Sequence, residues 1–511
     1  MRHFDRTILK RICLLACLGL IMTAVSSCSK LIEIAPPTTT ISTSQTFSSN
    51  DLTLSAMAGV YTRLINGSGA SELYSNGGVT LIAGLSADEL ICGMGTNDVA
   101  HYPFFSNNVL TTNTFTSDGG WTAAYKAIYS VNSIIEGIAA SKSELLDDST
   151  RRQVTGEAKF IRAFTYFYLT NMFGDVPLVI TTDYRINATM SRTPQEQVYQ
   201  QMVADLKDAQ QLLNTNYDFA RGARVRANKY AATALLARVY LYQKDWTNAA
   251  MQADSVIANG QYSLLEDLKG VFLSNSKEAI LQFIPDPTLS PLYNRTLEAY
   301  LFNPVIKLSE FPPEYWPIFT DSATFAQSVT SYVPNFYMSS DLPKAFEAGD
   351  KRRTQWIDSV PTPVTAPYFG VPIYFPSKYP ETHNDAGKPP RYYTVLRLGE
   401  QYLISAEAKA QLGEITEAQT ALNAVRSRAG LPATTAADKE GLLKAIARER
   451  RTELFLEWGH RWMDLKRTGM AKTVLSAIPE KLPWKDFQLL YPLPVTELVN
   501  NPLLKQNPGY N

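Results

Sequence analysis

Residues 156–178, GEAKFIRAFTYFYLTNMFGDVPL, constrain the chain more than any other stretch. Phe160, Ile161, Phe164, Phe167, Tyr168, Leu169 and Met172 recur at helical spacing but cover more than one face. A helix that is apolar nearly all round is buried on all sides. Glu157, Lys159, Arg162 and Asn171 interrupt the run, so as a membrane span it would carry charges into the bilayer. The stretch therefore predicts the central helix of an α-rich domain, starting near Thr150 and ending at Gly174, where a left-handed cap suits glycine and Pro177 forbids continuation. Arg162, set among aromatics, requires a carboxylate partner elsewhere in the chain.

The N-terminus sets the compartment. Arg2, Arg6, Lys10 and Arg11 precede an apolar run, Ile12 to Val25, that is short for a membrane span and has the form of an export signal. It ends in Val25-Ser26-Ser27-Cys28, which resembles a bacterial lipobox. Cleavage before Cys28 would leave that residue to carry lipid, with several acyl chains giving stable anchoring. Residues 1–27 thus read as a lipoprotein signal peptide and 28–50 as a lipid-anchored tether. Cys13 and Cys17 leave with the signal, so Cys92 is the one remaining free thiol and no disulfide framework or thiolate metal site is expected.

Without residues 1–27 the chain carries 44 basic and 47 acidic residues, a net charge of −3. That balance argues against nucleic acid, which needs a basic footprint. The 27 Tyr, 22 Phe and 7 Trp are more informative. Most must be core, but exposed rings suit the apolar faces of sugars.

Along the chain, Asp51 can cap a helix through about Leu64, and residues 66–120, rich in Gly, Ser, Asn and Thr, read as loops. Trp121 opens a helix with Tyr125, Ile128, Val131 and Ile135 inward. Thr193-Pro194-Gln195-Glu196 has the form of a capping box before the next helix. Ala237 and Ala249 stand twelve residues apart, and Ala406 and Ala418 repeat that spacing, as in tetratricopeptide-like helix pairs with small residues at the crossing. Four pairs follow: 51–65 with 121–140, 150–173 with 193–214, 223–243 with 246–259, and 395–412 with 415–428. Between about 281 and 390, where seventeen of the 29 prolines fall, the chain reads as loops, short strands and turns laid on this scaffold. Residues 446–469 read as one long charged helix, with Arg450, Glu453, Glu457 and Arg461 spaced for intrahelical ion pairs. The fold class is mostly α, with residues 51–511 a single domain of two halves meeting near 280.

Three segments carry a family likeness. "EAKFIRAFTYFYLTNMFGDVPLV" resembles the central helix of RagB/SusD proteins, nutrient-uptake lipoproteins of Bacteroidetes. "IARERRTELFLEWGHRWMDLKRTG" and "YPLPVTELVNNPLLKQNPGY" resemble their C-terminal signatures, with Trp458 and His460 as departures beside Gly459. The resemblance implies a non-catalytic, lipid-anchored outer-membrane protein facing the exterior. It would capture an oligosaccharide or peptide and pass it to a SusC-like TonB-dependent transporter.

The chemistry in the sequence agrees with binding over catalysis. His101, His383 and His460 are scattered, and there is no HExxH, GxSxG elbow or P-loop, so no cofactor or metal is expected. Asp88-Glu89 and Asp118 are the nearest candidates for a glycosidase pair, although turn and cap roles suit them better. The aromatic residues expected to face ligand are Tyr74, Tyr102, Tyr293, Tyr315 and Trp316, all in loop-like segments.

Overall fold

The computed structural model describes residues 43–67, 72–288, 292, 295–306, 310–382, 385 and 391–510. The signal segment, Cys28, most of the tether, Tyr293 and His383 lie outside them. Residues 47–511 form one compact unit.

The scaffold is a series of antiparallel helix pairs. Helix α1 (Asn50–Asn66) is capped by Ser49, with Asp51 in its first turn rather than at its cap. Helix α2 (Gly78–Ser86) is buried along its whole length. It corrects the reading of 66–120 as loops: GVTLIAGLS has no polar face, so it gives no amphipathic period. A π-helical stretch, Phe115–Thr122, leads into α3 (Ala123–Ala140), so the regular helix starts just after Trp121. Central helix α4 (Asp148–Phe173) is capped by Asp147, which accepts from the Thr150 N–H, and closes at Gly174 with φ of 76°.

Helix α5 (Gln195–Leu212) packs along α4. The expected capping box before it is absent: Asp175 accepts from the Gln195 N–H, and the Thr193 backbone pairs with Val176 instead. Helices α6 (Lys229–Tyr242) and α7 (Trp246–Ile257) form the third pair. The span 279–397 then supplies β2 (Ala279–Phe283), a helix α8 (Ser322–Tyr332), and β6 (Tyr393–Arg397), which pairs antiparallel with β2 inside the core. Helices α9 (Leu398–Leu412) and α10 (Ile415–Arg428) complete the fourth pair. Ala237, Ala249, Ala406 and Ala418 are all fully buried, as close helix crossings require. Arg238 of α6 joins the two last pairs by donating to both Glu400 oxygens of α9 at 2.6 Å.

The single long helix expected over 446–469 is two. Helix α11 (Lys439–Glu453) stops, and α12 (His460–Arg467) starts after a turn in which Leu456, Trp458 and Gly459 all have positive φ. The break turns Trp458 into the core, where its ring stacks on Tyr393 at 4.8 Å and meets Phe164 edge-on at 5.4 Å. It also redirects the charges, whose partners are tertiary rather than intrahelical. Glu453 meets Arg352, Arg397 and Arg428, and Glu457 meets Arg397 and Lys378. Arg450 holds Asp464, and Arg461 holds Asp88. Burial works against the Glu453 charge, but the three guanidiniums outweigh it and hold the carboxyl well below its ordinary range. A short helix α13 (Val495–Asn500) precedes the C-terminus.

Candidate functional site

The Pro-rich span is ordered by a small sheet of its own. Strands β1 (Leu90–Cys92), β3 (Phe336–Met338), β4 (Ile357–Val360) and β5 (Ile373–Pro376) form an antiparallel sheet in the order β1-β3-β5-β4. Phe319, Phe325, Val333, Val360 and Phe375 make an apolar cluster separate from the main core, with Phe311, Ile318, Tyr368 and Ile373 against it. A miniature core under a long insertion gives a surface loop a fixed shape.

That shape displays two of the expected residues. Pro312 and Pro313 start a 3₁₀ turn, Pro313–Phe319, because proline presets the required φ and needs no donor there. Phe319 points into the cluster, and the Trp316 ring meets it at 6.1 Å. Tyr315 and Trp316 remain 49% and 43% exposed. Just after the turn, the start of α8 is tied to a later loop by a hydrogen bond between the Ser322 and Thr365 hydroxyls. In that loop Phe369, which the sequence reading did not single out, is 69% exposed. Its signal was there in APYFGVP: Pro and Gly on both sides leave no regular element in which to bury both rings, and Tyr368 takes the place in the cluster.

Of the other expected residues, Tyr74 and Tyr102 do not join this pair. Tyr74 is a core residue, 1% exposed, with its hydroxyl against Thr165 at 2.9 Å. It is drawn in because its backbone N–H donates to Gly119 and its ring meets Phe164. Tyr102 is half-buried at the start of a single helical turn, packed on Phe105.

The carboxylates are occupied. Asp88 accepts from Arg461 at 2.7 and 2.9 Å and pairs with Arg451 at 2.8 Å. Burial opposes its charge, but the arginines outweigh burial and lower its pKa. Glu89 is enclosed beside it, and burial together with Asp88 pushes its carboxyl up to about 8. Asp118 is exposed and accepts from Ser117. His101 bridges two carboxylates, Nδ1 to Asp98 at 2.9 Å and Nε2 to Glu72 at 2.8 Å. Among the described residues no group of three or more His, Cys, Asp or Glu is placed to hold a metal ion. Nor is any helix among them long and apolar enough to cross a membrane.

Two family models match separate stretches: the SusD family over residues 363–510, and one described as starch-binding associating with outer membrane over 94–241. A SusD-like protein of Formosa agariphila is 25% identical, covering 95% of this chain and 96% of its own. A second from the same organism is 29% identical over 76% of this chain and 80% of its own. Among solved structures, a laminarin-binding SusD-like protein superposes with a TM-score of 0.72 at 25% identity, over 91% of this chain and all of that one. Surface glycan-binding protein A of Bacteroides fluxus shares the fold, with a TM-score of 0.71 at 24% identity over 91% of this chain and all of that one. The helix pairs, the order of the two matched stretches and the agreement along nearly the whole chain make this protein similar throughout to proteins of the SusD/RagB family.

Proposed function

We propose that this protein is a lipid-anchored outer-membrane receptor on the cell exterior. It binds an oligosaccharide without cleaving it and hands it to a SusC-like TonB-dependent transporter. The observation that carries the reading is the Tyr315–Trp316 pair, two exposed rings on a turn fixed from below by Phe319 and Phe325. A rigid exposed ring offers its face to the C–H surface of a pyranose, and little side-chain entropy is lost on contact. Tyr293, outside the described residues, belongs to the same proposal on its sequence alone. Relatives named for laminarin and surface-glycan binding support the ligand class, and the model described as associating with outer membrane supports the location.

Calorimetry of the full-length chain in detergent against a panel of oligosaccharides and peptides, with each mixture assayed for cleavage, tests the reading. The expected result is saturable oligosaccharide binding without products, weakened roughly tenfold or more by Trp316→Ala. Cleavage products would replace capture with hydrolysis. Binding that ignores Trp316→Ala would remove the aromatic turn from the site.

A further inference from the structure

We infer that a groove on another part of the scaffold, between α1, α3 and α13, is a second carbohydrate site, one that takes sugar chains bearing negative charge. The inference rests on the reading of this protein as a glycan binder and extends it to a separate surface and a ligand class.

Two cavities of about 550 Å³ each lie side by side there. They share Arg63, Thr122, Lys126 and Ser130, so one continuous groove runs past these four residues. Lys126, Tyr129 and Ser130 stand at i, i+3 and i+4 on α3 and so present to one side of the helix. Tyr129 is 56% exposed, an aromatic ring left open on a scaffold helix whose other large apolar side chains turn inward. Asn187, Asn500 and Asn501 line the far end, and the buried Asn187 Oδ1 has no hydrogen-bond partner among the described residues. An open ring beside planar amides is the combination that a sugar's C–H faces and hydroxyls require.

The charge at the neck sets the class. The Lys126 ammonium makes no hydrogen bond or ion pair with the described residues, and Arg63 donates only to the Ser130 hydroxyl at 3.4 Å. None of the groove's acids is paired with either cation among the described residues. Glu72 holds His101, Asp118 takes the Ser117 hydroxyl, and Glu497 lies against Trp121. Two cations with no carboxylate partner among the described residues, at the junction of two cavities and beside an open ring, favour a pyranose carrying an anionic substituent. A carboxylate and a sulfate ester both meet that description.

The test uses the full-length chain in detergent and three probes: an oligogalacturonate, a sulfated galactan oligosaccharide and a neutral gluco-oligosaccharide of the same length. At least one anionic probe binds, weakened roughly tenfold or more by Arg63→Ala combined with Lys126→Ala, and weakened again by added salt. Which probe binds tells carboxylate from sulfate ester. Tyr129→Ala weakens the same probe, whereas Trp316→Ala leaves it unchanged. All three groove residues are exposed, so thermal unfolding of these variants should match the parent and separate lost binding from lost fold. Failure of both anionic probes, binding unaffected by the double variant, or binding abolished by Trp316→Ala overturns the second site. Loss of neutral-sugar binding with the anionic probe intact would instead count against the aromatic turn alone.

Discussion

Arg162 in the middle of α4 holds Asp205 of α5 through two parallel hydrogen bonds of 2.8 and 2.6 Å. Its third nitrogen donates to Asn132 of α3 at 2.9 Å, so three helices meet at one guanidinium. The pair is almost wholly buried. Removing one partner leaves an uncompensated charge in the interior, which costs about 3–5 kcal/mol. Asp205→Ala should therefore lower the urea midpoint strongly. Arg162→Met combined with Asp205→Leu should recover part of the loss, because neither buried charge then remains. A single variant as stable as the parent would show that the pair does not join these helices.

Glu89 gives a prediction with a definite sign. Burial and the neighbouring Asp88 push its carboxyl up to about 8, against an ordinary value near 4.5. The folded state then binds the proton more tightly than the unfolded chain. Its effect is absent below about pH 4.5 and lowers stability progressively as pH rises toward 8. Glu89→Gln, which cannot ionise, should match the parent near pH 4.5 and exceed it by several kcal/mol near pH 8. Denaturant unfolding across that range checks it, and parallel stability curves for the two proteins would refute the enclosed carboxyl.

The helix pairs were legible because period and caps agree there. α10 spans the expected Ile415–Arg428, and α4 starts only two residues before the expected Thr150. Arg162 also announced its need for a carboxylate, although nothing local pointed to Asp205. What the sequence concealed was decided by tertiary partners. Residues 446–469 contain no proline, and their one internal glycine does not by itself mark a break, so the pattern reads as one helix. The structure breaks it to seat Trp458 on Tyr393 and to aim Glu453 and Glu457 at Arg397. The candidate site shows the same division. The prolines around Tyr315 and Trp316 correctly signalled an exposed turn, but Tyr74 sits in a similar-looking loop and is enclosed by residues nearly a hundred positions away.

Phe325 tests whether the aromatic turn depends on its own small core. Its ring packs on Phe319 at 6.4 Å and on Tyr368 at 4.7 Å, and it is 1% exposed. Phe325→Ala opens a cavity beneath Trp316 and should cost that cluster about 3–5 kcal/mol. The main core is a separate cluster, so the loss should be local. Hydrogen exchange should quicken over residues 313–332 while α4 stays protected, and oligosaccharide affinity should fall although Phe325 is itself buried. Uniform loss of protection across the chain would instead mean that the two clusters unfold together.

His101 gives a pH dependence of the same sign as Glu89, because its folded state too binds the proton more tightly, but here the charged form is the one the fold favours. Its Nδ1 faces Asp98 at 2.9 Å and its Nε2 faces Glu72 at 2.8 Å, an arrangement in which both nitrogens donate only when the ring is charged. Burial works to lower its pKa, but hydrogen bonding and attraction from Glu72 and Asp98 outweigh it, and the net shift is upward. The stabilisation is fully present below the ordinary histidine value near 6.5 and is lost as pH rises through the higher folded value. Because the ring links Glu72, next to Leu73 and Tyr74, to the 98–105 segment, its loss should loosen that junction first. His101→Ala should therefore be less stable than the parent at pH 6, with the gap narrowing by pH 9. Observing the imidazole by NMR gives a direct check: a folded pKa at or below 6.5 would mean that the two carboxylates do not clamp the ring.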